Sequence, residues 1–331
     1  MNFPFYIGDG SRHHSSPIPL PVSRREQLMT PDKYMADPGL VDACNVALLL
    51  GQPLLLTGEP GTGKTLFASS LAWELGFAPP LKFETKSTST ARELFYTYDA
   101  LRHFQAVQSG LVDRSALPFL AYHALGSAIL RTRDAAEVTH VLPPGFEHSG
   151  KQRTVVLIDE IDKAPRDFPN DMLNELELMY FRVPELGNVE IKADPDLLPI
   201  VVITSNSEKD LPDAFLRRCI YYNIPFPAHD RLQEIVANRL GLYAAGSSAF
   251  LSDALDLFFQ LRDPRAGLRK RPATAELLGW IAALVDIAQG EANPLARPEL
   301  ALRTMGNLVK TAEDQRRATD IVKQWVDQRK V

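Results

Sequence analysis

The stretch GEPGTGKT, residues 58–65, directly follows the apolar run PLLLT, residues 53–57. It fits the pattern G-x-x-x-x-G-K-[ST], in which a loop between a strand and a helix binds a chain of phosphates. The glycines Gly58, Gly61 and Gly63 let the backbone turn its N–H groups inward, where side chains would block a phosphate. A nucleotide-binding loop at this position therefore decides the fold class.

The end of the loop supplies the charged and polar groups that a nucleotide needs. Lys64 brings a positive charge to the outer phosphates, and the Thr65 hydroxyl is a ligand for Mg²⁺. The following residues, TLFASSLAWEL, have helical spacing, so the positive end of a helix faces the anion. The residues predicted to contact the nucleotide through this loop are Gly58, Glu59, Pro60, Gly61, Thr62, Gly63, Lys64, Thr65 and Leu66.

Short apolar runs alternate with helical patterns up to about residue 225, which predicts an α/β fold with a parallel sheet covered by helices on both faces. The predicted strands are PLLLT (53–57), LKFET (81–85), TVVLI (154–158), IVVIT (200–204) and IYYNI (220–224). Residues 31–51 are predicted as a helix that ends at Gly51.

Composition changes twice along the chain and divides it into three predicted parts. Residues 1–30 are a Pro-rich arm, residues 31–227 the nucleotide-binding domain, and residues 228–331 an all-helical domain. Residues 103–152 are long for one crossover, and we expect one or two helices there with a hairpin or loop tipped near Pro143–Gly145.

The overall composition excludes several classes of protein. A net charge of −5 argues against a broadly basic nucleic-acid-binding surface, and no stretch approaches the roughly 20 apolar residues of a membrane span. The two cysteines, Cys44 and Cys219, have no metal-ligand spacing and are expected to be buried thiols. Without a signal-peptide pattern at the N-terminus, the protein is predicted to be cytoplasmic. Trp73, Trp280 and Trp325 lie on apolar helix faces and are expected in the core.

Acidic and amide side chains follow two of the predicted strands. Asp159 and Glu160 end TVVLIDE, and Asn206 ends IVVITSN. Because ligands of an open parallel sheet bind beyond the carboxyl ends of its strands, Asp159 can meet Thr65 at one Mg²⁺. Glu160 is then placed to orient or deprotonate an attacking water. A short amide or hydroxyl of Thr204, Ser205 or Asn206 is placed to sense the γ-phosphate and hold the water. If the phosphate loop did not precede them, these residues would be read as ordinary strand ends.

Arg217 and Arg218 stand side by side before the last predicted strand. Two adjacent arginines are either exposed or paired in salt bridges. Alternatively, one of them is an arginine finger that stabilises transition-state charge in a neighbouring subunit. Asp162 and Lys163, which come shortly after Glu160, are interpreted as a surface pair or as interface charges.

In this order, the segments resemble those of an AAA+ ATPase: GEPGTGKT resembles Walker A, VVLIDEID Walker B, VVITSN the sensor-1 strand, and LPDAFLRRC the arginine-finger segment. ARELFYTYDAL and the long segment before Walker B resemble the MoxR branch, in the helix-2-insert group that also holds the chelatase and dynein-related ATPases. The resemblance covers about residues 30–290.

The resemblance implies an αβα core with strand order 5-1-4-3-2, a helical lid, and a ring, usually hexameric, with ATP and Mg²⁺ at the subunit junctions. It implies that Thr65 and Asp159 hold Mg²⁺, Glu160 activates water and Asn206 is sensor 1. Arg218 aligns with the single arginine of the finger segment, whereas Arg217 replaces an acidic residue common there.

At the sensor-2 position the chain departs from the family, because RKRPATAELLGW has Ala and Thr where an arginine is usual. Either Arg271 serves from a shifted position or the lid contact is lost. Base selectivity is open as well: Tyr34 or Met35 can lie against the base or simply pack in the fold.

Three functions follow from the resemblance. The first is a chaperone-like ATPase that remodels a separate protein partner. The second is a nucleotide-gated assembly module of a multi-protein system, such as antiviral defence, with slow turnover. The third is a nucleic-acid-stimulated NTPase motor, against which the acidic charge balance counts.

Overall fold

The computed structural model describes residues 5–6, 8, 10, 13, 15–22, 28–109, 115–207, 211–241, 247–288 and 291–328. About half of the predicted N-terminal arm lies outside these residues. Two compact units are present, one formed by Tyr34–Phe226 and the other by Met1–Lys33 together with Pro227–Val331. Within the described part of the chain, no helix combines the length and apolar character needed to cross a membrane.

The unit Tyr34–Phe226 contains all the described strands. They are β1 (Leu54–Thr57), β2 (Leu81–Glu84), β3 (Tyr96–Tyr98), β4 (Leu120–Tyr122), β5 (Val155–Asp159), β6 (Tyr180–Val183), β7 (Val189–Lys192), β8 (Ile200–Thr204) and β9 (Ile220–Asn223). Its helices are α1 (Pro38–Leu50), α2 (Lys64–Glu74), α3 (Ala100–Gln108), α4 (Ala124–Arg131), α5 (Ala135–Val138), α6 (Phe168–Asp171), α7 (Leu173–Leu178) and α8 (Asp213–Leu216).

Five parallel strands form the central sheet in the order β2-β5-β8-β1-β9. Numbered among themselves along the chain, they have the order 2-3-4-1-5, so the predicted 5-1-4-3-2 sheet is confirmed. Each of the five predicted strands is present, with ends that differ by one residue at most.

Successive residues of the central strands point to opposite faces of the sheet, and both faces are covered. Leu55, Val156, Ile158, Val201 and Ile203 pack into one core. Their strand neighbours pack into a second core on the other face; these are Leu54, Leu56, Val155, Leu157 and Val202. This double burial explains why the strands read as uninterrupted apolar runs.

Helix α1 begins later than the sequence pattern indicated. A short 3-10 turn occupies Pro31–Lys33, and the helix starts only at Pro38, with the Asp37 carboxylate accepting the Leu40 N–H at 3.1 Å. Proline at the first helical position and aspartate before it are a standard helix start, so the prediction of one helix over 31–51 was wrong at its beginning. Its end is as expected, with Gly51 at φ 64°.

The long segment before β5 contains the antiparallel pair β3–β4 with α3 between the strands, followed by α4 and α5. The expected helices are present, but the strands lie at 96–98 and 120–122, and no strand flanks Pro143–Gly145 in the described residues. A second antiparallel pair, β6–β7, precedes β8. Aromatic side chains join the two pairs, since Tyr96 and Tyr122 both lie near the ring of Phe181.

The other unit is helical in its described residues beyond 227, with α9 (His229–Leu240), α10 (Ser247–Arg262), α11 (Thr274–Ala288), α12 (Pro298–Thr304) and α13 (Ala312–Gln328). Trp280 and Trp325 are buried in its core, as predicted. Trp73, on α2 of the sheet unit, is 56% exposed, so its assignment to a core was wrong.

Candidate functional site: a phosphate loop facing an acidic strand end

The site is built where β1 and β5 end at the same edge of the sheet. Residues 58–63 connect β1 to α2, which begins at Lys64. The last residue of β5 is Asp159, and Glu160 follows it directly. The edge lies at the carboxyl ends of parallel strands, which is the usual ligand-binding side of such a sheet.

The glycines of the loop adopt backbone conformations that other residues avoid. Gly58, Gly61 and Gly63 have φ of 138°, 79° and 93°. A Cβ on Gly58 would lie 2.6 Å from the carbonyl oxygen of Ile224, and one on Gly63 would lie 3.0 Å from the Tyr34 ring. Glycine is therefore required at Gly58 by both its conformation and its surroundings.

Lys64 folds back over its own loop. Its Nζ donates to the carbonyl oxygens of Gly58 at 2.8 Å and Glu59 at 3.1 Å, and the residue is only 7% exposed. Burial lowers the pKa of the Lys64 ammonium, although the charges of the nearby carboxylates oppose this effect. The lysine is thus held over the loop by backbone acceptors that a phosphate can replace.

Asp159 receives donors on both of its carboxylate oxygens. Oδ1 accepts from the Thr65 hydroxyl at 2.9 Å and from the Thr204 hydroxyl at 2.7 Å, while Oδ2 lies 3.0 Å from Lys82 Nζ. Burial by itself would raise the pKa of Asp159, but the hydrogen bonds from Thr204, Lys82 and Thr65 outweigh it and the pKa is lowered. The Asp159 carboxylate therefore stays ionised at neutral pH, and it is hydrogen-bonded to Thr65, the residue after Lys64.

Glu160 has an unusual backbone and an exposed side chain. Its φ of 57° and ψ of 52° are left-handed, and its N–H donates to the Thr204 hydroxyl at 2.9 Å. The carboxylate pairs with Lys163, so Lys163 faces this acid in the same chain and is not only a surface charge. The left-handed turn thus places Glu160 directly after Asp159, with its carboxylate partly exposed.

Asn206 follows β8 and is tied to the acidic segment through its backbone. Its N–H donates to Asp162 Oδ1 at 3.0 Å. The Ser205 hydroxyl lies 3.2 Å from the same oxygen, but its one hydrogen has a nearer acceptor in the Ser207 carbonyl. Within the described residues, the Asn206 side-chain amide makes no hydrogen bond. The amide is thus free to bind a ligand while its backbone is held.

The two arginines after α8 differ in their surroundings. Arg218 Nε lies 2.7 Å from Glu177 Oε2, and its Nη1 donates to the Ala214 carbonyl at 3.1 Å. Arg217 is exposed, and its side chain has no hydrogen bond or ion pair to any described residue. Both lie on the unit that carries the phosphate loop, and neither forms a hydrogen bond or ion pair with a described residue of that loop. The arginine-finger role stays a prediction.

Arg271 belongs to the helical unit. It is exposed and lies in the segment before α11, where the backbone N–H groups of Arg269 and Lys270 donate to the carboxylate oxygens of Asp314. The role of Arg271 toward a nucleotide stays a prediction.

Sequence reasoning missed Lys82 and underestimated Thr204 and Asp162. Lys82 and Glu84 are two residues apart on β2, so their side chains share one face of the sheet. Glu84 is in register with Asp159. The period of two in LKFE was therefore a signal for charged side chains next to the end of β5. Thr204 was considered only as a possible phosphate sensor. Tyr34 packs edge-on against Phe67, with ring centroids 6.0 Å apart, and its ring also lies beside Gly63 of the phosphate loop. The choice between packing and contact with the base stays open.

The donor set at the end of β5 fits Mg²⁺. The Thr65 hydroxyl and the Asp159 carboxylate are hard oxygen ligands 2.9 Å apart. No group of three or more His, Cys, Asp or Glu side chains arranged to hold a metal occurs among the described residues. The fit to Mg²⁺ rests on the two oxygens of Thr65 and Asp159, since Mg²⁺ commonly uses one or two protein oxygens together with substrate phosphates.

A sequence model of the AAA domain (dynein-related subfamily) matches residues 53–219, about half of the 331 residues. No curated protein matches the chain. Among solved structures, two point mutants of RuvB from Thermotoga maritima are similar at 15% identity. For one mutant the TM-score is 0.45, and the match covers 84% of this chain and 72% of the mutant chain. For the other the TM-score is 0.44, and the match covers 87% of this chain and 74% of the mutant chain.

Proposed function

The chain belongs to the AAA domain family of the dynein-related subfamily and is an ATPase, and on that premise we propose a MoxR-like enzyme that works as a ring. In this proposal ATP is hydrolysed at the junctions between subunits, and turnover drives the remodelling or assembly of a separate protein partner. The domain limits 31–227 and 228–331, the cytoplasmic location and the hexameric state are part of the same proposal.

One observation carries the proposed chemistry: the 2.9 Å hydrogen bond between Thr65 Oγ1 and Asp159 Oδ1. It joins the end of the phosphate loop to the end of β5, although β8 lies between β1 and β5 in the sheet. P-loop hydrolases need such a pairing of a hydroxyl and a carboxylate to hold Mg²⁺. Without this contact the loop would support nucleotide binding only.

Mg²⁺ would be held by Thr65 and Asp159 together with phosphate oxygens of the nucleotide. When bound, it neutralises charge that develops on the β- and γ-phosphate oxygens. Thr204 and Lys82 hold the Asp159 carboxylate in place from the protein side.

The other residues of the site act on the phosphates and on water. Lys64 exchanges the carbonyl oxygens of Gly58 and Glu59 for the outer phosphates. Glu160, once released from Lys163, accepts a hydrogen bond from the attacking water and takes its proton. The Asn206 amide holds the same water or the γ-phosphate.

We assign the arginine finger to Arg218, with Arg217 as the alternative. The Arg218–Glu177 pair joins side chains that are 39% and 54% exposed, and exposed pairs contribute at most about 1 kcal/mol. A phosphate of a neighbouring subunit can therefore compete for Arg218 at little cost. For Arg271 the sensor-2 role stays a prediction, with the loss of that role as the alternative.

The test is ATP turnover per chain against protein concentration, for the wild type, Arg218→Ala, Arg217→Ala and Glu160→Gln. A shared site predicts that turnover per chain rises with concentration. It also predicts that inactive Arg218→Ala recovers activity when mixed with inactive Glu160→Gln, because mixed rings contain junctions with both groups intact. Turnover that is independent of concentration, with both arginine variants fully active, would rule out the shared site.

The protein partner is tested separately by its effect on turnover. A remodelling ATPase accelerates hydrolysis when its protein partner is bound, whereas stimulation by DNA or RNA would point to a nucleic-acid motor. A slow turnover that no macromolecule accelerates, with assembly dependent on ATP, would instead identify an assembly module.

A further inference from the structure

Thr204 is the last residue of β8, is 1% exposed and lies between the two acidic residues at the end of β5. Its hydroxyl is 2.7 Å from Asp159 Oδ1 and 2.9 Å from the Glu160 backbone nitrogen. An ionised carboxylate can only accept, and a backbone N–H can only donate. The hydroxyl hydrogen therefore goes to Asp159, and an oxygen lone pair accepts the N–H of Glu160.

The second of these bonds supports a strained residue. Glu160 is one of few non-glycine residues in the described chain with a left-handed backbone, at φ 57°. This conformation costs roughly 1–2 kcal/mol and persists only where surrounding contacts hold it. The Thr204 hydroxyl is the acceptor that holds the N–H of Glu160.

The residues at the end of β8 and the residues that end and follow β5 are joined by several hydrogen bonds. Beyond Thr204, the Asn206 N–H donates to Asp162 Oδ1. The Ser205 hydroxyl lies 3.2 Å from the same oxygen, but the Ser207 carbonyl is its nearer acceptor. Thr204 and Asn206 thus bond to three residues of the acidic segment, Asp159, Glu160 and Asp162. These bonds join the segment that contains Asn206 to the segment that contains Asp159 and Glu160.

We propose that Thr204 is a positioning residue for ATP hydrolysis, which holds the Asp159 carboxylate and the Glu160 backbone in fixed relation to Asn206. The inference rests on the proposed function, because Thr204 acts through Glu160. The hydroxyl itself takes no part in bond making, since its hydrogen and a lone pair are both engaged by the protein.

The matched substitutions are Thr204→Val and Thr204→Ser. Valine keeps the branched shape and removes both hydrogen bonds, whereas serine keeps the hydroxyl and loses a methyl group. Thr132 provides the control, because it is fully buried and its hydroxyl also donates once, to the Ile129 carbonyl, and accepts once, from the Asp194 N–H. Thr132→Val therefore removes the same kind of bonds outside the site.

The experiment measures kcat and KM for ATP, the Kd of a fluorescent ATP analogue in EDTA, and Tm. Loss of a residue that orients active-site groups typically costs about 10- to 100-fold in activity. We expect that loss in kcat for Thr204→Val, with KM and Kd within about threefold of the wild type and activity largely restored in Thr204→Ser. Thr132→Val is expected to lower Tm similarly with kcat unchanged.

A Thr204→Val enzyme with wild-type kcat would overturn the inference, and so would a Thr204→Ser enzyme no more active than Thr204→Val. If the valine variant does not fold, Thr204→Ala removes the hydroxyl without placing a methyl group against the carboxylate, and the same outcomes apply. Failure of the proposed function looks different, since it would appear as full activity in Glu160→Gln.

Discussion

Gly58→Ala tests whether the geometry of the phosphate loop requires glycine. The added Cβ would lie 2.6 Å from the carbonyl oxygen of Ile224, a backbone atom that cannot rotate away. The φ of 138° at this position is itself outside the range of L-residues, and such strain costs about 1–3 kcal/mol. The strain can be relieved only by moving the loop, which misplaces the N–H groups that bind phosphate.

Gly76→Ala is the matched control. Gly76 also has a positive φ, of 73°, but a Cβ there meets nothing within 4 Å. The substitution should cost about 1–2 kcal/mol of unfolding free energy from backbone strain alone. It lies beyond the end of α2, away from the phosphate loop at the start of that helix.

Calorimetry and nucleotide titration separate the two effects. Both variants should unfold at a lower Tm, by about 2–4 °C per kcal/mol for a domain of this size. Only Gly58→Ala should weaken nucleotide binding, by at least about tenfold, which corresponds to about 1.4 kcal/mol. Wild-type nucleotide affinity in Gly58→Ala, or an equal loss of affinity in Gly76→Ala, would refute the reasoning.

Two further predictions concern charge and burial. Lys82→Met should lower the unfolding free energy at pH 7 by no more than about 1 kcal/mol, since Lys82 is partly exposed. Because the pKa of Asp159 is lowered in the folded protein, the stability that Lys82 contributes is present above the usual carboxyl pKa of 3.8 and is lost as the pH falls below it. The difference in unfolding free energy between Lys82→Met and the wild type, measured in urea, should therefore be smaller at pH 3 than at pH 7. An equal difference at both pH values would contradict a stabilising Lys82–Asp159 ion pair. Burial raises the pKa of Cys44 to about 11 and of Cys219 to about 12, so neither thiol should react with Ellman's reagent at pH 8 in the folded protein, while both should react in guanidinium. Rapid labelling of the native protein would show that the thiols are accessible.

The central sheet could be predicted because its strands are buried on both faces. Runs such as IVVIT need no alternation to be recognised, and the loop GEPGTGKT fixed the position of the first strand in the fold. The pairs β3–β4 and β6–β7 were not predicted, because their short strands lie outside the alternation of apolar strand and helix from which the central sheet was recognised. Asp37–Pro38 did carry a helix-start signal, which a longer apolar pattern obscured.

The site could be predicted only where a motif names its residues. Lys82 and Thr204 reach Asp159 from two different strands, and their contacts depend on how β2 and β8 are aligned with β5. That alignment is a property of the folded sheet and cannot be predicted from the sequence of any single strand. The pairing of Arg218 with Glu177 has the same origin, since the two residues are far apart in the chain.

The most direct test of the proposed hydrolysis site compares Glu160→Gln with the wild type in ATP binding and in steady-state turnover. Glutamine keeps the size of the side chain and removes the base, so binding should be unchanged while kcat falls by at least about 100-fold. Turnover that survives in Glu160→Gln would contradict the account, because another group would then have to activate the water.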